Sequence, residues 1–149
     1  MFKRRYAIAT TRKNEKEFLM IVGYTSGVYD LFHIGHLNIL QRCKELGDKL
    51  IVGVSTDALN IQKKQRRPII CQEQRLRIVN NIKGVTSAFF EESLDKKRQY
   101  IIEHHADVLV MGDDWKGKFD EFNDVCNVVY LPRTPSISTT AIIEFVKKS

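Results

Sequence analysis

The chain has 149 residues, 43% of them hydrophobic and 28% charged, the make-up of one globular domain with a real core rather than of a disordered or fibrous chain. No stretch approaches the roughly 20 apolar residues that span a bilayer, and the basic opening residues lack the apolar core and cleavage site of a secretory signal, so a cytoplasmic location with no membrane partner is expected. A formal net charge of +6 favours acidic partners, whether nucleotides, phosphorylated metabolites or nucleic acid.

In chain order, residues 1–19 read as an N-terminal extension in which "YAIATT" offers an edge strand, and residues 1–149 read as a single domain without repeat or linker. "FLMIVGY" (18–24) is a short apolar run suited to a strand buried on both faces. "HLNILQRCKELG" (36–47) places Leu37, Leu40, Cys43 and Leu46 three residues apart and closes on Gly47, the pattern of an amphipathic helix with a glycine cap. "KLIVGVS" (49–55) is a second strand, followed by a short helical turn at "TDALN". "QEQRLRIVNNI" (72–82) predicts a helix, "TSAFF" (86–90) a strand and "DKKRQYIIEHH" (95–105) a helix whose closing His104 and His105 would meet its dipole. "DVLVMG" (107–112) and "CNVVYL" (126–131) predict two more buried strands. "STTAIIEFVKK" (138–148) is a last helix capped by Ser138 or Thr139. Alternating strands and helices imply an α/β fold, a Rossmann-like doubly wound parallel sheet with helices on both faces. The three cysteines, Cys43, Cys71 and Cys126, have no C-x-x-C spacing and read as buried free thiols.

In such sheets ligands bind beyond the carboxyl ends of strands, where the strand order reverses. "YDLFHIGH" (29–36) lies beyond the first strand, at a helix start. Three-residue spacing brings His33 and His36 to one side of that turn. Gly35 lets a phosphate approach the backbone, and the helix start favours an anion. Two imidazoles there can donate to phosphate oxygens whose charge grows in a transition state. The same two residues also suit a helix cap, a satisfied core histidine or, with Asp30, part of a metal site.

Four ordered stretches, "DLFHIGH", "LGDKLIVGVSTD", "VLVMGDDWKGKFD" and "VVYLPRTPSISTT", together resemble the nucleotidyltransferases that share an H-x-G-H signature, and among them the glycerol-3-phosphate cytidylyltransferases. Class I aminoacyl-tRNA synthetases also spell HIGH, but they need a K-M-S-K-S-type loop and several hundred residues, and neither is present. The resemblance implies a cytidylyl transfer from CTP to sn-glycerol 3-phosphate by a homodimer, giving CDP-glycerol for teichoic acid or a related polymer.

It also implies roles. His33, His36, Lys63 and Arg133 would be catalytic. Val28, Tyr29, Asp30, Gly35, Arg66, Asp113, Thr134, Ser138, Thr139 and Thr140 would join the two histidines and Arg133 around the nucleotide. In "RTPSISTT" (133–140), Arg133 offers a planar cation and Ser138, Thr139 and Thr140 offer hydroxyls and amide groups at a helix start. The basic run "QKKQRRP" (62–68) supplies Lys63 and Arg66, with spacing about one residue away from that of the family. Lys63, Arg75, Lys97 and Trp115 would face the acceptor. Mg²⁺ is expected on the triphosphate itself, with Asp30 near it.

Val28 stands where the glycerol-3-phosphate enzymes usually carry Thr. There, and in "RRPIICQEQR", the chain is similar to heptose-phosphate adenylyltransferases, so adenylyl or cytidylyl transfer to another phosphorylated acceptor is a second expectation. A non-catalytic nucleotide- or nucleic-acid-binding module is a third; the chain lacks the aromatic residues interleaved with basic ones that a single-strand binder uses, so no nucleic-acid partner is expected.

Overall fold

A computed structural model describes residues 20–149. The strands are β1 (Val22–Gly27), β2 (Lys49–Ser55), β3 (Ser87–Glu91), β4 (Val108–Gly112) and β5 (Asn127–Leu131). The helices are α1 (Ile34–Glu45), α2 (Asp57–Lys64), α3 (Gln72–Asn80), α4 (Lys97–Glu103) and α5 (Thr139–Lys148). Short 3₁₀ turns at Leu94–Lys96, Asp113–Trp115 and Asp120–Asp124 complete the order. All strand pairs are parallel, in the order β3-β2-β1-β4-β5. The chain builds one half of the sheet outward from β1, then returns to lay β4 on the other side of β1. That reversal opens the crevice between β1 and β4 at their carboxyl ends.

The alternation of side chains across the strands makes two cores. Leu50, Val52, Val54, Val108 and Val110 face one way, against Leu40 and Cys43 of α1 and Val79 of α3. Tyr24, Leu109 and Met111 face the other way, against Tyr100 and Ile101 of α4 and the aromatic pair Phe119 and Phe122. No helix among the described residues is long and apolar enough to cross a membrane.

Several expectations shift. The "YAIATT" edge strand and the first two residues of "FLMIVGY" lie outside the described residues. β1 itself runs later than the apolar run, through Thr25 and Ser26, because its register with β2 pairs Val22 with Lys49 and Gly27 with Val54. The segment after β2 is a two-turn helix rather than a single turn; Thr56 caps it by accepting from the Leu59 N–H, and Gln65 ends it in the left-handed region at φ 58°. α1 starts two residues earlier than expected, α3 stops two residues sooner, and α4 is shorter, with His104 as its C-cap and its ring stacked on Phe89 at 4.2 Å. Cys43 and Cys126 are buried free thiols, whereas Cys71 is exposed at the start of α3.

Candidate functional site

A pocket of about 330 Å³ opens at the carboxyl ends of β1, β2 and β4. The late, polar part of β1 explains why it forms there. Thr25, buried, and Ser26, half-buried, end the strand with hydroxyl-bearing side chains that line the pocket.

The two histidines are held by one another and by the backbone. His33 is the N-cap of α1, and its Nδ1 accepts from the Gly35 N–H at 3.0 Å. His36 Nδ1 in turn accepts from the His33 N–H at 3.2 Å, closing a capping box made wholly of histidine. The rings stack with centroids 3.8 Å apart, and Tyr29 meets His36 edge-on at 5.4 Å. A ring nitrogen that accepts a backbone N–H carries no proton, so in each neutral ring the hydrogen sits on Nε2. Both rings are kept neutral. Burial lowers the His36 pKa to about 4, helped by His33 and Arg133. Burial and then Arg133 lower that of His33 as well. The histidines are therefore a helix cap and, through Nε2–H, a pair of neutral donors at the pocket wall. Gly35 is needed for this arrangement. A Cβ there would stand 2.8 Å from the His33 ring and 3.3 Å from Ile137.

The loop before α1 is fixed just as tightly. Tyr29 and Leu31 adopt left-handed backbone at φ 57° and 49°, a cost that non-glycine residues bear only where neighbours enforce it. Asp30 between them is buried, and its two carboxylate oxygens accept the Ile69 and Ile70 N–H groups at 2.8 and 2.9 Å. Those two bonds occupy the carboxylate with organising the chain after the basic run. The Asp30 carbonyl accepts from the Thr139 hydroxyl at 2.8 Å, which binds the start of α5 to the start of α1. Two further bonds tie α1 to the loop between β5 and α5: Asn38 Nδ2 to Thr134 Oγ1 at 3.1 Å and Arg42 to the Pro132 carbonyl at 2.9 Å. Ser138 caps α5 by accepting from the Ala141 N–H at 3.0 Å. Arg133 is exposed and stands 3.6 Å from Asp114.

Not every expected contact falls in the pocket. Val28, Lys63, Arg66, Trp115, Thr134 and Thr140 line it. Arg75 does not. It is fully buried, with Nη1 donating to the carbonyls of Val28 and Ser55, Nε to that of Ile70, and Nη2 paired with Asp57 at 2.7 Å. Its donors are committed to tying four chain segments together, so its place is behind the pocket wall. Lys97 also lies beneath the surface, bonded to Ser26 Oγ at 2.7 Å and to both Glu91 oxygens at 2.8 and 2.9 Å, with Ser26 and Glu91 between it and the pocket. Tyr24 donates its hydroxyl to the same carboxylate. Burial pulls the Lys97 ammonium below the usual lysine value and Glu91 opposes that shift. Asp113 is exposed and outside the pocket, and its neighbour Asp114 lines it instead. Lys63 makes no hydrogen bond or ion pair with the described residues, and burial lowers its pKa. Asn60, Ser26 and Glu91 were not singled out from sequence; a polar residue inside a helix or at a strand end carries no local mark of its position beside a cleft.

No group of three or more His, Cys, Asp or Glu side chains among the described residues is arranged to hold a metal ion.

A parallel sheet reversing at β1, an H-x-G-H helix start and a second helix start that follows Arg133 in the β5–α5 loop are the arrangement of an α/β nucleotidyltransferase. The chain belongs to the cytidylyltransferase-like family, whose model matches residues 24–145. It is 50% identical over 120 residues to the glycerol-3-phosphate cytidylyltransferase of Bacillus subtilis, covering 80% of this chain and 92% of that protein. It is 39% identical over 124 residues to the bifunctional protein HldE of Nitratiruptor sp., covering 81% of this chain but 26% of that protein. Among solved structures, the lipopolysaccharide core biosynthesis protein from Thermoplasma volcanium superposes with a TM-score of 0.67 at 27% identity, covering 77% of this chain and 98% of that one.

Proposed function

We propose that the protein transfers CMP from CTP to sn-glycerol 3-phosphate, releasing CDP-glycerol and pyrophosphate. The observation that carries this reading is the pair of stacked histidines, each with Nδ1 engaged by a backbone N–H and Nε2 left for a ligand, beside Arg133 in one pocket. The 50% identity to the Bacillus subtilis enzyme supports the choice of base and acceptor.

An oxygen of the acceptor phosphate attacks the α-phosphorus in line, and the bond from that phosphorus to the bridging oxygen of the β-phosphate breaks. The electron pair leaves with pyrophosphate. A phosphate dianion is already nucleophilic near neutral pH, so no covalent intermediate on the protein is needed. Catalysis is then positioning and charge stabilisation. His33 and His36 donate through Nε2–H to the α-phosphate and bridging oxygens. Neutral imidazoles suit this task, because they stabilise growing charge without a proton transfer. Arg133 and the start of α5 at Ser138, Thr139 and Thr140 receive the β- and γ-phosphates. Lys63 draws the acceptor phosphate to the opposite wall, and Arg66 beside it serves the nucleotide. Lys97 acts there through Ser26 and Glu91. Mg²⁺ is proposed to travel on the triphosphate, where it would neutralise charge.

The test is pyrophosphate release, measured for each nucleoside triphosphate against a panel of phosphorylated acceptors. CTP with sn-glycerol 3-phosphate is the expected best pair. Release with ATP alone would overturn the cytidylyl assignment, and no release with any pair would remove the enzyme reading in favour of a nucleotide-binding module. A second acceptor class, heptose phosphate, is favoured by Val28 and by the similarity to HldE. Against it, the Val28 carbonyl is what the fold uses, held by Arg75 at 2.7 Å, so the side chain at this position is a weak guide to the acceptor. A cytoplasmic homodimer supplying a teichoic-acid-type polymer completes the proposal, and sedimentation velocity reads the dimer.

A further inference from the structure

Asn60 sits on α2 one turn before Lys63, and both residues line the pocket. Asn60 is 3% exposed. Its Nδ2 donates to the Arg66 carbonyl at 3.1 Å. A carbonyl only accepts, so that bond settles which end of the amide is nitrogen and which is oxygen. The oxygen, Oδ1, has no hydrogen-bond partner and is the one buried side-chain polar atom among the described residues left so. A buried acceptor without a donor is costly, and native proteins leave few of them. One at the wall of a ligand pocket is completed when the ligand brings a donor.

The chemistry of that donor follows from the position. Phosphate oxygens only accept at neutral pH, so the nucleotide's phosphates cannot serve Oδ1. The groups suited to those phosphates are His33, His36, Arg133 and Ser138, on the β1 and β5 side of the pocket. Asn60 and Lys63 lie on the β2 side, a neutral acceptor beside a cation that makes no hydrogen bond or ion pair with the described residues. A ligand matching both carries a phosphate for Lys63 and a hydroxyl for Oδ1. We propose that Asn60 Oδ1 accepts a hydrogen bond from a hydroxyl of a phosphorylated polyol acceptor and so selects polyol phosphates over simple alkyl phosphates. This role rests on the transferase reading above. Asn60 thereby couples two tasks, since its amide nitrogen holds the chain at Arg66 while its oxygen reads the acceptor.

The experiment is steady-state pyrophosphate release with CTP, comparing sn-glycerol 3-phosphate with the two propanediol phosphates that each lack one of its hydroxyls. Wild-type protein should lose about tenfold or more in kcat/KM for one of the two analogues. In Asn60→Ala that penalty should shrink to within about threefold, because the bond it measures is gone. Loss of the Arg66 tie lowers all substrates alike and leaves the ratio untouched. Asn60→Leu, which keeps the side-chain volume, replaces the alanine variant if circular dichroism shows that variant unfolded. Equal use of all three acceptors by wild type would overturn the role, as would an undiminished penalty in the variant. So would a variant whose lost selectivity concerns the ribose hydroxyl, read with 2′-deoxy-CTP. Wild-type protein that releases no pyrophosphate with any acceptor removes the transferase reading first, a result distinct from transfer without hydroxyl selectivity.

Discussion

At the level of single residues, the site depends on which nitrogen of each histidine is already engaged. The capping bonds at Nδ1 put the proton on Nε2 in both rings, and they also make protonation disruptive. Protonating His36 Nδ1 would set an N–H against the His33 N–H. The His36 pKa is lowered to about 4, so turnover should show no loss from His36 as pH falls from neutrality until it approaches that value, a limb that the pH profile of kcat would reveal. The linkage to stability has the opposite window. Between the ordinary histidine value near 6.5 and about 4, the unfolded chain binds a proton that the folded chain refuses, so this group's contribution declines as pH falls through that interval and changes little below it. Urea titrations of wild type and His36→Ala across that range would separate the contribution. His36→Ala itself should cut turnover by roughly two orders of magnitude or more while remaining folded, the scale seen when a preorganised donor is removed. Gly35→Ala is a sharper probe. Alanine is the better helix former, yet its Cβ would press on the His33 ring at 2.8 Å. A thermal midpoint near wild type with kcat down about tenfold or more is expected.

Among the elements, the notable economy is Arg75, which draws together the ends of β1 and β2, the start of α2 and the chain at Ile70. The family resemblance implies a place facing the acceptor, and the structure commits its donors to carbonyls and a carboxylate of other segments. Arg75→Lys retains the charge and cannot reproduce the fork of donors, so it should destabilise the fold by about 3 kcal/mol or more, as breaking a buried, hydrogen-bonded pair does. Chemical denaturation measures this; full stability in the lysine variant would mean the ties are dispensable. α5 depends on α1 in a similar way. Thr139→Val removes the bond to the Asp30 carbonyl while keeping the shape. It should raise KM for CTP severalfold, because the start of α5, proposed to receive the triphosphate, loses its anchor, and cost about 1 kcal/mol in stability.

In the molecule as a whole, the buried pair Lys97–Glu91 joins α4 to the end of β3 directly beneath the pocket, with both side chains 1% exposed. Lys97→Met leaves an unpaired carboxylate there and should cost about 3–5 kcal/mol, whereas the double change Lys97→Met with Glu91→Gln should recover a large part of it; thermal unfolding of the three forms reads the coupling. Element types and the parallel α/β class were legible in the chain, because apolar runs of five to seven residues alternating with three-residue periodicity leave few other architectures. That "YDLFHIGH" and "RTPSISTT" lead into helix starts was legible from the residues that cap them, whereas a role for either with phosphate is what the family resemblance implies. Other features depend on residues far apart in sequence. The continuation of β1 through Thr25 and Ser26 follows from pairing with β2, the inward turn of Arg75 and Lys97 from partners in other segments, and the lone oxygen of Asn60 from the path of the chain at Arg66. A local pattern records backbone preference and polarity, which set what each segment becomes. Whether a charged or polar side chain meets a ligand or the protein's own backbone is decided by which distant groups reach it first, and that is known only once the sheet has brought them together.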